Sequence, residues 1–414
     1  MTPTLAHEPS ESVPESVPDF PMPRDAACPF APPPEMMRLH DERPVAKVRL
    51  WDGSTHWLVT RYDDQRALYG DPRLSVDVTR PGFPYLSQGF KETAGKTPPS
   101  FLNMDDPDHA RIRRMVTAPF TIKRMEALRP AIQRIADELI DAMLAGPNPV
   151  DLVETLALPL PSLVICELLG VPYADHDFFQ SHSKVGLSRD ATPESARAAN
   201  IALYRYLDRI LDVKLADPAE DMLSDLAARM HAGELTRHEA AMLGVLLLGA
   251  GHETTANMIS LGVLALLEHP EQLAFVRDTD DPKALAGAVE ELLRYLTVVH
   301  SGQRRLALED LEIGGQRVRA GEGVIIPGAT GNWSPDRFPD PGRLDVRRDA
   351  RRHMAFGFGI HQCLGQPLAR IELQVVYGTL FRRVPRLRVA APLDTIPFKD
   401  DGIVYGVYEL PVAW

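Results

Sequence analysis

The chain has 414 residues, 44% hydrophobic and 25% charged, which is ordinary usage for a folded protein and enough to bury a large core. Its 57 acidic residues outnumber 45 basic ones for a net charge of −12, which argues against a nucleic-acid binder. The cysteines, Cys28, Cys166 and Cys363, are odd in number and widely spaced, which excludes a disulfide framework and fits a reducing cytosol.

Residues 1–30 combine repeated prolines with acidic residues and carry no apolar stretch. They read as a flexible leader, neither signal peptide nor membrane anchor, ahead of one domain over residues 31–414. From Val45 to Thr60, VAKVRLWDGSTHWLVT alternates around an Asp-Gly turn and predicts a β-hairpin. A short helix over 62–68 comes next, then an irregular stretch from Asp71 to Asp106, rich in Gly, Pro and Ser. A loop that long inside a compact domain usually carries function. Helices are expected over 107–120, 123–146, 150–170, 174–185, 192–216, 220–232, 236–269, 271–278 and 282–297. Cys166 falls in one of them, LPSLVICELLG, as plain core, and Cys28 in the leader is incidental. Strand-rich segments (LEDLEIGGQRV, GEGVIIPGA) then lead to a glycine-rich loop, a helix near 364–384 and terminal strands. The expected architecture is mainly α with small β-sheets, in a single domain.

Two segments carry chemistry. The first is the apolar helix AAMLGVLLLGAGHETTANMISLGVLALLE that follows Glu239. Leu246, Ala250, Thr254 and Met258 recur every four residues and share a face. Gly251 near mid-helix costs about 1 kcal/mol against alanine, and Glu253 sets a carboxylate in an apolar stretch. Small Ala250 and Gly251 leave room beside the helix, and the Thr254 hydroxyl is placed to bond a carbonyl one turn back. His252 points elsewhere and reads as structural.

The second segment is FGFGIHQCLG, Phe356 to Gly365, followed directly by the helix-forming run QPLARIELQVV. Glycines at 357 and 359 remove the Cβ atoms that keep a backbone away from a large flat ligand. A helix beginning near Leu364 turns its free N–H groups toward the Cys363 sulfur, which lowers the thiol pKa. A cysteine thiolate is the ligand a haem iron needs where O–O cleavage is favoured.

This loop resembles the haem-ligand signature of cytochrome P450 monooxygenases, F-G-x-G-x-H-x-C-x-G, at each fixed position. AGHETT fulfils the same family's [A/G]-G-x-[D/E]-T-[T/S] pattern. The likeness runs from about residue 35 onward and is nearest to soluble actinomycete members, through HETTANMISL, LVICELLGVPYADHDFFQ and GIHQCLGQPLAR. The resemblance implies the triangular P450 fold and haem b (iron protoporphyrin IX) as cofactor. Cys363 is then the axial iron ligand, with Phe356, Gly357 and Gly365 beside it and Ala250 and Gly251 on the other haem face. His109 and Arg113 (i, i+4 on one helix), Arg305 and His361 become partners of the haem propionates. Thr254 orients bound dioxygen, and Glu253 helps relay protons to it. Glu291 and Arg294 of EELLRY have the spacing of an ordinary helix ion pair; the resemblance makes them a buried support for folding and haem retention. Trp333 stands where the family has the arginine of N-R-D-P, which leaves the third partner of that network open.

The resemblance implies a haem-thiolate monooxygenase that hydroxylates or epoxidises a hydrophobic small molecule of polyketide, macrolide, statin, sterol or xenobiotic type. Its substrate walls would be the 80–102 loop, the 180–200 connection, Leu246, Leu247, Val298, Val299, and the terminal loop at Val404 and Tyr405. No flavin or iron–sulfur motif is present, so electrons are expected from a ferredoxin and its NAD(P)H-dependent reductase. A basic patch of Arg111, Arg113, Arg114, Lys123, Arg124, Arg347, Arg348, Arg351 and Arg352 would steer that anionic donor. A non-catalytic haem-thiolate protein that binds or senses a gas is the alternative; the Glu253–Thr254 pair discriminates, because a sensor needs no proton relay. Direct use of hydrogen peroxide is a third reading, which the intact acid–alcohol pair opposes. A cytoplasmic monomer with no nucleic-acid or membrane partner is expected.

Overall fold

The computed structural model describes residues 17–96, 100–187, 193–400 and 404–414. The fold is mainly helical with small sheets. At its centre runs the 32-residue helix Arg237–Glu268, begun by a capping box in which Thr236 and Glu239 satisfy each other's backbone N–H groups. From Ala256 to Leu266 this helix is buried all round, as a core helix with no polar face must be. The helix Gln366–Arg383, which carries on from the cysteine loop, packs closely against it. A Cβ at Gly262 would sit 2.0 Å from Tyr377 Oη, and that hydroxyl donates to the Met258 carbonyl at 2.5 Å. Only glycine admits this approach.

The hairpin forms as predicted, Val45–Arg49 pairing antiparallel with Thr55–Val59. It extends through Gly323–Ile326 and Gln303–Ala307 to Leu74–Ser75, giving a five-stranded sheet. Gln303–Ala307 runs antiparallel to Gly323–Ile326 with Arg304 opposite Ile325 and Arg305 opposite Val324. This strand buries Arg305 and leaves Arg304 half-buried.

Most expected helices lie where the sequence places them, with ends shifted by a few residues. The segment 150–170 differs. It divides into the strand Val150–Asp151, a π-helical turn Val153–Ala157 and the α-helix Pro159–Leu169, because Pro159 and Pro161 lack the N–H that a continuous helix needs. The irregular stretch holds a short strand (Leu74–Ser75), a helix (Gln88–Thr93) and a 3₁₀ turn (Phe101–Asn103). The helix Pro34–Glu42, with Met36 and Leu39 buried, was not foreseen.

Residues 1–16 of the expected leader lie outside the described residues, as do 97–99 and 188–192 of the two connections expected at the substrate wall and 401–403 of the terminal loop. The rest of the leader, 17–30, is built into the fold. Phe20, Met22 and Phe30 are buried, Phe20 N–H donates to Arg49 O, and the Arg24 guanidinium stacks 3.8 Å above the Tyr405 ring. Scattered apolar anchors outweigh the proline-rich composition. No single helix among the described residues is long and apolar enough to cross a membrane.

Candidate active site

The cysteine loop is closed by its own backbone: Cys363 N–H donates to Phe356 O at 2.9 Å and Gly357 N–H to Met354 O at 2.9 Å. The Gly365 and Gln366 N–H groups bond the sulfur, as a helix start directly behind it requires. Burial nevertheless dominates and raises the thiol pKa, against those amides and Arg113 and Arg370, so the expected lowering is not found for the protein chain alone. Cys363 is accessible and yet deep, because its free surface faces an internal cavity of about 460 Å³.

That cavity brings the two chemical segments together. Phe356, Gly357, His361, Cys363 and Gly365 line it from the loop, and Leu246, Leu247, Ala250, Gly251 and Thr254 from the long helix. Val298 and Val299 line it too. Thr254 Oγ1 donates to Ala250 O at 2.9 Å, the bond one turn back that the sequence suggests. His252 turns away, its ring nitrogen 3.1 Å from Leu158 O. Gly359 differs from its expected role. Its φ is +76°, and a Cβ there would lie 2.5 Å from Tyr69 O, so it serves the packing of the loop on the helix Tyr62–Tyr69 and not a ligand. Gly357, in contrast, has no heavy atom within 4 Å of its Cβ direction.

Glu253 and Tyr405 lie off the cavity wall, as do His109 and Val404 among the expected residues. Glu253 faces the other side of the helix, where Oε1 accepts from Lys399 Nζ at 2.7 Å and Asn257 Nδ2 at 2.8 Å. Tyr405, expected at the substrate wall, is buried with its hydroxyl donating to Pro29 O at 2.8 Å. Buried-core and cavity-facing tyrosines look alike in sequence, and here the folded leader claims the ring.

The four groups expected at the haem carboxylates converge. The His109 and His361 rings lie 4.1 Å apart, and Arg113 and Arg305 border the same corner. His109 Nε2 and His361 Nδ1 are buried without a hydrogen-bond partner, and His109 Nδ1 has only the Asp106 carboxylate, 3.4 Å away. His361 is held down to about 3, first by burial and then by His109, Arg305 and Arg113. Burial likewise lowers Arg305 and Arg113. Asp106 is the one carboxylate beside the cluster, at His109, so Arg113, Arg305 and His361 still offer donors to an anion.

Glu291 and Arg294 are fully buried and joined by two hydrogen bonds of 2.7 and 2.8 Å. Arg294 also donates to Asn332 O, and the Asn332 side chain accepts from Met354 N–H at 2.7 Å, which ties the pair to the root of the cysteine loop. The third member is Arg348, 3.2 Å from Glu291 Oε1. Trp333, in the place of the family arginine, instead stacks on Tyr295 and donates to its carbonyl at 2.9 Å. A second brace was missed. Glu290 accepts from His353 and twice from Arg370, which lies over the Phe356 ring. The paired acids of EELLRY were its only sequence signal.

The expected basic patch is also smaller than its sequence. Arg113 turns inward to Gln362 O, Arg348 is engaged by Glu291, and Arg111 pairs with Glu239. Arg114 and Lys123 are exposed, and exposed Arg124 pairs with Asp225 at 3.5 Å.

Among the described residues no three His, Cys, Asp or Glu side chains converge, so an ion at Cys363 needs ligands the chain does not supply. A porphyrin would supply them, with Arg113, Arg305, His109 and His361 placed to hold its carboxylates and open space beside Gly357 to receive it. The residues present fit haem. A cytochrome P450 family model matches residues 207–404. Cytochrome P450 GfsF of Streptomyces halstedii is 58% identical over 402 residues, 97% of each chain. Pentalenic acid synthase of Streptomyces avermitilis is 48% identical over 393 residues, 95% of this chain and 96% of that one. The crystal structure of GfsF superposes with a TM-score of 0.93, covering 96% of this chain and 100% of the other. The chain belongs to the cytochrome P450 family: it is a P450 monooxygenase with the P450 fold and haem b as its cofactor.

Proposed function

We propose that this P450 hydroxylates or epoxidises a hydrophobic small molecule, of the polyketide, macrolide, statin, sterol or xenobiotic kind, with electrons from a ferredoxin and its NAD(P)H-dependent reductase. The observation that carries the reading is the single cavity bounded by Cys363 on one segment and by Thr254, Ala250 and Gly251 on another. Haem held there by Cys363, His109, Arg113, Arg305 and His361 supplies thiolate-driven dioxygen chemistry. Leu246, Leu247, Val298 and Val299 exclude water and hold an apolar substrate. The Thr254 hydroxyl, which donates to Ala250 O, presents its oxygen as an acceptor at the wall, and Glu253, one residue earlier in sequence, is the acid assigned to resupply protons there. Lys399 holds that acid on the far side of the helix, so the relay runs from there toward Thr254 through water. Exposed Ile122 and Ile360, with Arg114 and Lys123, support docking of an anionic donor at the cysteine-loop face.

The experiment compares Thr254→Ala with wild type in the presence of a ferredoxin, its reductase and a substrate found by absorbance screening. Thr254→Ala is expected to release several times more peroxide per NAD(P)H consumed. Unchanged coupling refutes the assigned role.

A further inference from the structure

Arg304 is a cation that neither the haem site nor the fold accounts for. It lies on the strand Gln303–Ala307 and borders the same cavity. Successive side chains leave a strand on opposite faces. Arg305 acts on His361 and the cluster around it, whereas Arg304 meets the loop before the helix Asp108–Thr117. Its guanidinium stands 5.9 Å from the Phe83 ring and 5.7 Å from Phe90. Phe83 is buried and borders the cavity, while Phe90 is 46% exposed, so Arg304 lies between a ring of the cavity wall and a ring at the surface.

Among the described residues no carboxylate pairs with the Arg304 side chain, and it makes no hydrogen bond. Burial holds its pKa below the usual value, and the Tyr85 phenol alone pushes it back up. That phenol is itself engaged as a donor to Val78 O. Charged groups that leave water are normally paired. A half-buried guanidinium flanked by two aromatic rings offers its planar fork to a ligand entering the cavity.

We propose that Arg304 anchors a carboxylate on the substrate, held at the mouth of the cavity with the apolar remainder reaching Leu246, Leu247 and Val299. The inference rests on reading this cavity as the substrate chamber. It narrows the substrate to an amphipathic acid, and it makes Arg304 a residue of specificity, separate from the propionate cluster.

The test uses the haem-loaded full chain and a matched pair of probes, decanoic acid and decanamide, which share shape and differ in charge. Dissociation constants are measured by calorimetry at a pH where the acid is ionised, for wild type, Arg304→Gln and Arg304→Lys. Wild type is expected to bind the acid about tenfold or more tighter than the amide, the worth of one charge-assisted contact. Arg304→Gln should bring the two within about twofold while leaving amide affinity unchanged, and Arg304→Lys should keep part of the preference. Equal binding in wild type, a preference that survives Arg304→Gln, or no binding of either probe overturns the assignment. The reduced-CO spectrum separates the two levels. A thiolate-haem band with no acid preference refutes Arg304 alone, whereas absence of that band in wild type refutes the functional reading beneath it.

Discussion

Lys399→Met isolates what the ammonium does for Glu253. The pair is 2.7 Å apart, with side chains only 11% and 12% exposed. At an effective dielectric near 20 that separation gives about 6 kcal/mol of attraction, most of which offsets the several kcal/mol each ion loses on leaving water. The intact pair therefore adds little net stability, but breaking it is costly. Methionine at 399 leaves the carboxylate with the Asn257 amide, 2.8 Å away, as its side-chain donor. Removing one member of a buried pair costs about 3–5 kcal/mol, and the residual exposure and that amide set Lys399→Met near the lower end. Glu253→Gln, which leaves a flexible ammonium able to reach toward water, should cost about 2 kcal/mol. The double variant presents neutral groups of similar shape and should cost no more than about 2 kcal/mol, giving a coupling energy of about 3 kcal/mol. Guanidinium unfolding of the four proteins at equal haem content measures it, since the cofactor's contribution cancels around the cycle. Additivity within about 0.5 kcal/mol would refute the reasoning.

Three further outcomes are expected. Gly262→Ala should destabilise by about 3 kcal/mol, and less in a Tyr377→Phe background, where the clashing oxygen 2.0 Å from the new methyl is gone; denaturant midpoints of the two backgrounds decide. Glu290 has burial pushing its pKa up, but the His353 and Arg370 hydrogen bonds prevail and bring it to about 2 from an ordinary 4.5. Because the folded value is the lower one, this stabilisation is fully present above about pH 4.5 and is lost as pH falls toward 2. Glu290→Gln should accordingly flatten the acid limb of a stability–pH curve, and an unchanged limb would count against the brace. Cys363→Ala should abolish the reduced-CO band of thiolate haem; persistence of that band would remove Cys363 from its role as ligand.

What could be read in advance was contiguous. The cysteine loop and the AGHETT turn each place their chemistry within ten residues, and each carries a local cost that a plain core segment has no reason to bear. The hairpin and most helices were legible because periodicity is a local property. Contacts across long separations were not. Arg348 reaches Glu291 over 57 residues and Lys399 reaches Glu253 over 146, and no spacing rule connects such positions. Composition misled at the leader, where Phe20, Met22 and Phe30 anchor a segment whose average character is that of a free chain. It misled again at the basic patch, since sequence gives the charge of Arg113 and Arg348 but not the direction in which they turn.

The same limitation gives the arginines of the cavity their meaning. Arg113, Arg304 and Arg305 are ordinary residues in sequence, and two of them are adjacent. Folding separates their duties. Arg113 and Arg305 join two imidazoles, of which His109 Nε2 and His361 Nδ1 are buried without a partner, an arrangement suited to an anionic ligand. Arg304 leaves the strand toward two phenylalanines and has no ion-pair partner among the described residues. One cluster is thus matched to a cofactor with two carboxylates, and the remaining cation to a ligand that must bring its own. A cavity with both features discriminates at its mouth by charge and at its far wall by apolar fit, and neither selection interferes with the thiolate between them.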